Sequence, residues 1–253
     1  MSGLTDSAGQ PWKGRSFEPN PNAADDGTAP AAFVDAHAAF RAGRAGIADL
    51  VDAIRGGRFL IPLVAVAGET GVGPDGQLVD KSQELSIITV EGPDGRAVLP
   101  VFSSTDAMAA WRADARPVPA DAVRVALAAA SENTDRVVID PRSETLTVLP
   151  RPAVWAIAQS QPWVPAVDDD AVIEAISAPA AAHPEIWAVS VVPGDPQATG
   201  AGPEVVVRLA YDPEAEQQRV RAAIQAMSAA WATDATVTQR VDSISVQPIV
   251  APH

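Results

Sequence analysis

Cysteine is absent from this 253-residue chain, and histidine, lysine and tyrosine are scarce: three, two and one respectively. Each shortage closes a class of chemistry. Without cysteine there is no disulfide, no thiolate metal site and no cysteine nucleophile. A Ser-His-Asp triad or a three-histidine metal site must draw on two or more of His37, His183 and His253, which lie far apart in sequence. There is no G-x-S-x-G elbow and no phosphate-binding loop. No apolar run approaches the roughly 20 residues of a membrane span, and the N-terminus lacks a basic start followed by an apolar core. The sequence therefore predicts a cytoplasmic protein with no cofactor and no bound metal.

Positive charge is also in deficit. Thirty-two acidic residues against eighteen basic give a net charge of −14. Such a surface repels phosphate backbones and anionic membranes within a Debye length, so neither nucleic acid nor a membrane is an expected partner. Lys13 and Lys81 are the two lysines, and arginine supplies the rest of the basic charge.

What is present is an ordinary soluble core, 47% hydrophobic by residue. A chain of this length forms one large domain or two ordinary ones and buries roughly 70% of its unfolded surface without a staple. Residues 1–32 are rich in Pro, Gly, Asn and Asp and read as an extended or disordered arm. Trp12 and Phe17 are large for such a segment, so Arg15 to Pro21 is expected to dock. A helix over 33–42 precedes a clearer one, in which Ile47, Leu50, Val51 and Ile54 form one stripe and Gly56-Gly57 stops it. Phe59–Val66 reads as a strand, with Pro62 implying a sheet edge or bulge.

Leu85–Glu91 and Ala97–Ser103 flank Gly92-Pro-Asp-Gly95 and predict an antiparallel hairpin. Thr105 is the expected cap of a short helix ending near Trp111. After the connector Arg116-Pro-Val-Pro119 comes a helix over 121–131, with Val123, Leu127 and Ala130 on one face. Strands at 136–140 and 145–149 and a helix at 152–160 close this unit. Gln161-Pro-Trp-Val-Pro165 reads as a linker. Beyond it, Asp168–Asp170 caps a helix to about 178, strands follow at 186–192 and 204–211, and Asp212-Pro213 starts a long helix. Val220, Ile224, Met227 and Trp231 make its stripe, and Ser243–Val250 is a half-buried last strand. The expected class is α+β. Two small α+β domains (33–160 and 166–253), each a mainly antiparallel sheet packed against helices, follow the N-terminal extended arm.

Four constellations bear on chemistry. Gly71-Val-Gly-Pro-Asp-Gly76 matches the dinucleotide fingerprint in letters only, because a Pro-Asp-Gly turn stands where a helix must open. Asp168-Asp-Asp170 suits a divalent cation by composition, yet acidic residues at a helix start are accounted for by the helix dipole. Trp155 and Trp163 flank Gln159 and Gln161 and serve either recognition or interface packing, with packing the expected use. Asp80-Lys-Ser-Gln-Glu84 sets a cation between two anions just before a strand. Its plain reading is an exposed segment with an ion pair worth roughly 0–1 kcal/mol. Its functional reading makes Asp80, Lys81, Gln83 and Glu84, with Trp111 and Arg112, a contact site for a ligand or partner.

Arg58-Phe-Leu-Ile-Pro-Leu-Val64, the Pro-Asp-Gly hairpin, Leu99-Pro-Val-Phe-Ser-Ser-Thr105, Trp111 and Val138-Ile-Asp-Pro141 together resemble the SseB N-terminal domain. Asp80-Lys-Ser-Gln-Glu-Leu85 and Arg151-Pro-Ala-Val-Trp155 resemble its actinobacterial branch. The likeness covers about residues 40–165, and the second unit is similar to a C-terminal SseB-type region in element order alone. The family has no established catalytic residues, so the resemblance carries no active site across. The missing catalytic motifs, the Pro-bearing strands and the six tryptophans of this acidic chain favour a non-enzymatic module that binds a partner protein or a second copy of itself as a homodimer. The competing class is a sensor or enzyme acting on an amino acid or other metabolite through the 80–84 loop.

Overall fold

The computed structural model describes residues 25–66, 70–72, 78–80, 84–92 and 95–251. The expectations for Trp12, Phe17 and the 15–21 arm, for the 73–76 turn, for Lys81, Ser82 and Gln83, and for the Pro93-Asp94 turn lie outside these residues. The fold is α+β, with eight α-helices among the described residues and most strand pairs antiparallel.

Helices α1 (Ala31–Arg41) and α2 (Ile47–Arg55) pack against each other. The α2 stripe buries as its spacing requires, with Leu50, Val51 and Ile54 all inside. Strand β1 (Arg58–Val66) is followed by a hairpin of β2 (Thr70–Val72) and β3 (Leu78–Asp80), then by β4 (Glu84–Ile87). The predicted 85–91 strand is broken at residues 88–89. Its first part pairs with β1, while β5 (Val90–Glu91) turns back against β6 (Ala97–Val101) as a short hairpin. Helix α3 (Thr105–Trp111) is capped by Ser104, one residue before the expected cap, whose side chain accepts from the Ala107 N–H at 3.1 Å.

The segment read as a Pro-rich connector is a strand, β7 (Arg116–Asp121), and β1 lies between it and β4. Pro62 is thus in a central strand and not at an edge. The geometry tolerates it. Leu60 exchanges both backbone hydrogen bonds with Phe102, so by alternation Pro62 faces that same side, in the gap before the β4 ladder begins at Leu63. On β7, Pro117 and Pro119 alternate with Arg116, Val118 and Ala120, the residues whose amides face β1.

Helix α4 (Ala122–Ser131) buries Ala122, Val125, Ala126 and Ala129. The predicted Val123-Leu127-Ala130 face points outward, leaving Leu127 56% exposed. Small alanines pack closest to the sheet here, and side-chain size misled the reading. Strands β8 (Val137–Ile139) and β9 (Thr147–Leu149) complete a mixed sheet in the order β5-β6-β8-β9, with β6 and β8 parallel. Helix α5 (Arg151–Ala158) closes this half. Phe33, Leu50, Phe59, Leu99, Ile139 and Ile157 are central to its core, where Phe33 and Phe59 meet edge to face at 5.5 Å.

Helix α6 (Asp170–Ser177), capped by Asp169, runs into a 3₁₀ turn at Ala178–Ala182. Strands β10 (Ile186–Pro193) and β11 (Val205–Tyr211) are antiparallel. Helix α7 (Gln217–Thr233) begins four residues after Pro213, because Asp212 caps a separate turn by accepting from the Glu214 N–H. After α8 (Ala235–Arg240), β12 (Ile244–Val250) returns parallel to β11. A second core gathers Val172, Ile176, Val205, Leu209, Met227 and Trp231, and the Trp231 indole N–H donates to the Ile176 carbonyl at 2.9 Å.

Several residues of the quoted pattern have structural jobs. Arg58 donates to the Asp25 carboxylate (2.7 Å) and to the carbonyls of Thr28 (2.6 Å) and Ser103 (2.9 Å), strapping residues 25–28 to the sheet. Gly27, at φ +76°, lies where a Cβ would sit 2.7 Å from the Thr105 methyl. Asp140 is fully buried in the left-handed region (φ +50°). Its carboxylate accepts from the Ser103 N–H and hydroxyl and from the Thr145 hydroxyl at 2.6–2.7 Å. Trp111 packs on Phe102. Arg58→Ala is expected to lose about 2 kcal/mol by denaturant unfolding. Removing residues 1–29 should cost a similar amount, but little more once Arg58 is alanine; additive losses would show that the strap is not held by Arg58.

Candidate functional site

The two cores meet along a line of arginines. Arg41 reaches the Gln197 carbonyl at 3.2 Å, and Arg151 reaches the carbonyls of Thr238 and Val241 at 2.7 and 2.5 Å. Arg96 grips both oxygens of Asp242 at 3.1 and 3.3 Å, and Arg136 bonds the same carboxylate. The Asp242 side chain is 0% exposed and that of Arg136 6%. Arg136 also contacts the Ser243 hydroxyl, which accepts from the Glu204 N–H at 3.0 Å. The backbone joins in where the β9 amide of Val148 donates to Ala198 at 2.7 Å.

Ala198 belongs to the loop between β10 and β11. Asp195 organises that loop by accepting from the Gly200 N–H and the Thr199 hydroxyl. Gly194 and Gly202 press together at its neck. A Cβ on Gly202 would sit 2.5 Å from the Gly194 carbonyl oxygen, and one on Gly194 would sit 2.3 Å from that of Pro203. Only glycine permits this approach, which sets the start of β11 and with it Glu204.

Between the two cores this packing leaves a cleft of about 300 Å³. Phe40, Ile47, Val148 and Trp163 contribute from the first half and the linker, and the 193–204 loop from the second. The wall is mostly apolar, with Arg136, Asp168, Asp195, Glu204 and Asp242 as its ionisable groups. Two polar atoms in the wall are shielded from water and lack a hydrogen-bond partner among the described residues: Trp163 Nε1 and Glu204 Oε1. Such orphaned groups in a cavity wall are uncommon in folded proteins. The other Glu204 oxygen accepts from the Asp242 N–H at 2.5 Å. Burial pushes the Glu204 carboxyl up to about 8, against the opposing pull of Arg151. Glu204 is therefore mainly protonated at neutral pH.

Of the residues singled out from sequence, Trp163 and Asp168 line the cleft, and the others that the structure describes lie elsewhere. Asp80 ends β3 and pairs with Thr70, and Glu84 begins β4 opposite Val66. Trp111 is half-buried against Phe102, while Arg112 pairs with Asp114 on the surface at 2.9 Å. Neither lines the cleft. Asp169 and Asp170 serve the α6 start, with Asp169 also paired to Arg240 at 2.9 Å. Among the described residues no group of three or more His, Asp or Glu is arranged to hold a metal. Trp155 lies on the surface under the Arg151 guanidinium, 4.6 Å from its ring centre, whereas Trp163 faces the cleft. His37 is buried beside Phe33, and burial with Arg41 nearby lowers its pKa, so it stays neutral. Glu204 and Asp242 were missed because nothing in sequence marks a carboxylate as buried. A clue was the glycine-rich stretch before Glu204.

Residues 32–156 match the SseB protein N-terminal domain, just under half of the chain. No curated protein and no solved structure matches the chain. Among the described residues no helix is long and apolar enough to cross a membrane.

Proposed function

We propose that this chain, whose residues 32–156 match the SseB N-terminal domain, is a non-enzymatic regulatory module that reads a small molecule in the cleft between its two cores. One observation carries the reading: a cavity of about 300 Å³, apolar over most of its wall, retains two buried polar groups that no described residue satisfies. Small-molecule sites have this composition, with an apolar lining and a few convergent polar groups. The cleft belongs to neither core alone, so a ligand there changes how firmly the halves hold each other, which is a natural output for a regulator.

In this reading the chain is an SseB-like cytoplasmic protein of the actinobacterial branch, with 33–160 and 166–253 as separate domains and the second an SseB-type C-terminal region. Its output passes to a protein partner or a second copy of itself. The Asp80–Glu84 segment, with Trp111 and Arg112, is the partner-facing contact. Lys81 supports that assignment, as a compact charge in a chain that otherwise chooses arginine.

A thermal-shift screen of metabolites tests the cleft. A ligand at about 100 times its Kd adds about 2.7 kcal/mol, which raises Tm by roughly 5–11 °C in a protein of this size. Val148→Phe, which fills the cleft from β9, is expected to abolish the shift. A silent screen, or an equal shift in Val148→Phe, would overturn the proposal.

A further inference from the structure

We infer that the cleft selects an organic amine: a cationic head set against Glu204 and a short aliphatic or cyclic body among Phe40, Ile47, Val148 and Trp163. The inference rests on the cleft being a ligand site and adds the ligand's chemistry. Three observations lead to it. The first is the charge balance of the wall. Four carboxyl groups, Asp168, Asp195, Glu204 and Asp242, face one guanidinium, Arg136. Arg96 and Arg136 together neutralise Asp242, and Arg151 acts on Glu204 from α5. Counting the wall residues alone, and with Glu204 protonated, three carboxylates (Asp168, Asp195 and Asp242) stand against one guanidinium, within a chain of net charge −14. A carboxylate or phosphate entering this cleft meets repulsion, while a cation is drawn in.

The second observation is the state of Glu204. One oxygen is occupied by the Asp242 amide, and the other is buried with no partner among the described residues. A neutral carboxyl in this position leaves half its hydrogen-bonding capacity unused. An ammonium group supplies both a donor for the orphaned oxygen and the counter-charge that makes ionisation favourable in a low-dielectric site. Amine binding at neutral pH therefore moves a proton off Glu204 to solvent: the protonated amine enters, the carboxyl O–H breaks, and a carboxylate–ammonium pair remains. The third observation is the body of the cleft. Aliphatic side chains, prolines and one indole surround a volume suited to a small ligand, and an aromatic ring adjacent to a cation adds attraction.

Pentylamine, pentanol and pentanoate share chain length and differ in head group, so they separate the charge requirement from simple apolar filling. Thermal shift and calorimetry on the full chain should show pentylamine binding, with pentanol and pentanoate silent. Titrations at pH 7 in two buffers of different ionisation heat should count about one proton released per amine bound. Glu204→Gln keeps the shape and removes the charge, and is expected to weaken pentylamine by about 10- to 100-fold. Pentanol or pentanoate binding in preference, with the shift lost in Val148→Phe, would overturn the amine and leave the cleft standing as a ligand site. An amine shift that survives Val148→Phe, or that releases no proton, also overturns it. If none of the three binds, the amine is wrong, and the ligand-site reading falls with it only when the metabolite screen is silent too.

Discussion

Glu204→Gln is expected to make the protein more stable than wild type at pH 9, by on the order of 3 kcal/mol, and to leave it unchanged at pH 4. The sign follows from linkage. Burial raises the folded-state pKa to about 8 from an ordinary 4.5. Between those values the unfolded chain has released a proton that the folded chain still holds. Stability in the wild type therefore falls as pH rises from about 4.5, and levels off above about 8. Glutamine mimics the protonated form at every pH, so the variant escapes the decline. Its carboxamide oxygen still accepts the Asp242 amide, and its NH₂ occupies the position of the orphaned oxygen. Denaturant titrations of both proteins at pH 4, 7 and 9 check this. Parallel profiles would mean that Glu204 is solvated or ionised in the folded state.

Asp242→Ala acts in the opposite direction and more broadly. The carboxylate is wholly buried, takes two hydrogen bonds from Arg96 and one from Arg136, and stands immediately before Ser243 and β12. Removing one member of a buried ion pair leaves the charge of the other uncompensated by that carboxylate. Arg136, with its side chain only 6% exposed, loses the buried carboxylate that offsets its charge. A loss of about 3–5 kcal/mol is expected, or roughly 6–20 °C in Tm. Hydrogen exchange should show lost protection along β12 and β11, while α2 and β1 stay protected. A double variant in which Arg136 becomes Met should recover much of the loss, because the buried charge goes together with its carboxylate. If Asp242→Ala costs under about 1 kcal/mol, the pair behaves as an exposed one and does not fasten the two halves.

The elements that declared themselves in sequence did so through periodicity. The α2 stripe and the α7 positions Val220, Met227 and Trp231 bury as their spacing requires. Proline and alanine were less transparent. Pro117 and Pro119 concealed β7, since proline is compatible with an edge strand only in a phase that pairing decides. In α4 the alanines face the core and Leu127 faces out, so hydrophobicity alone chose the wrong side. The candidate site was least legible. Its walls come from α1, α2, β9, the linker and the 193–204 loop, which pack together only in three dimensions. The preference for arginine over lysine was visible, but its use was not. Four arginines of the first half span to carbonyls and a carboxylate of the second, a task suited to a rigid fork of donors.

The parallel pairing of β11 with β12 sets a timetable for assembly. The buried residues of the first core all precede the linker, the last of them being Ile157 in α5. The second sheet cannot close until α7 and α8 have been made and residues 244–250 return beside β11. Asp242 arrives only then. During synthesis, the Asp242 carboxylate that Arg96 and Arg136 bond is made more than a hundred residues after either of them. Fastening through Asp242 is thus among the last contacts between the two cores to become available.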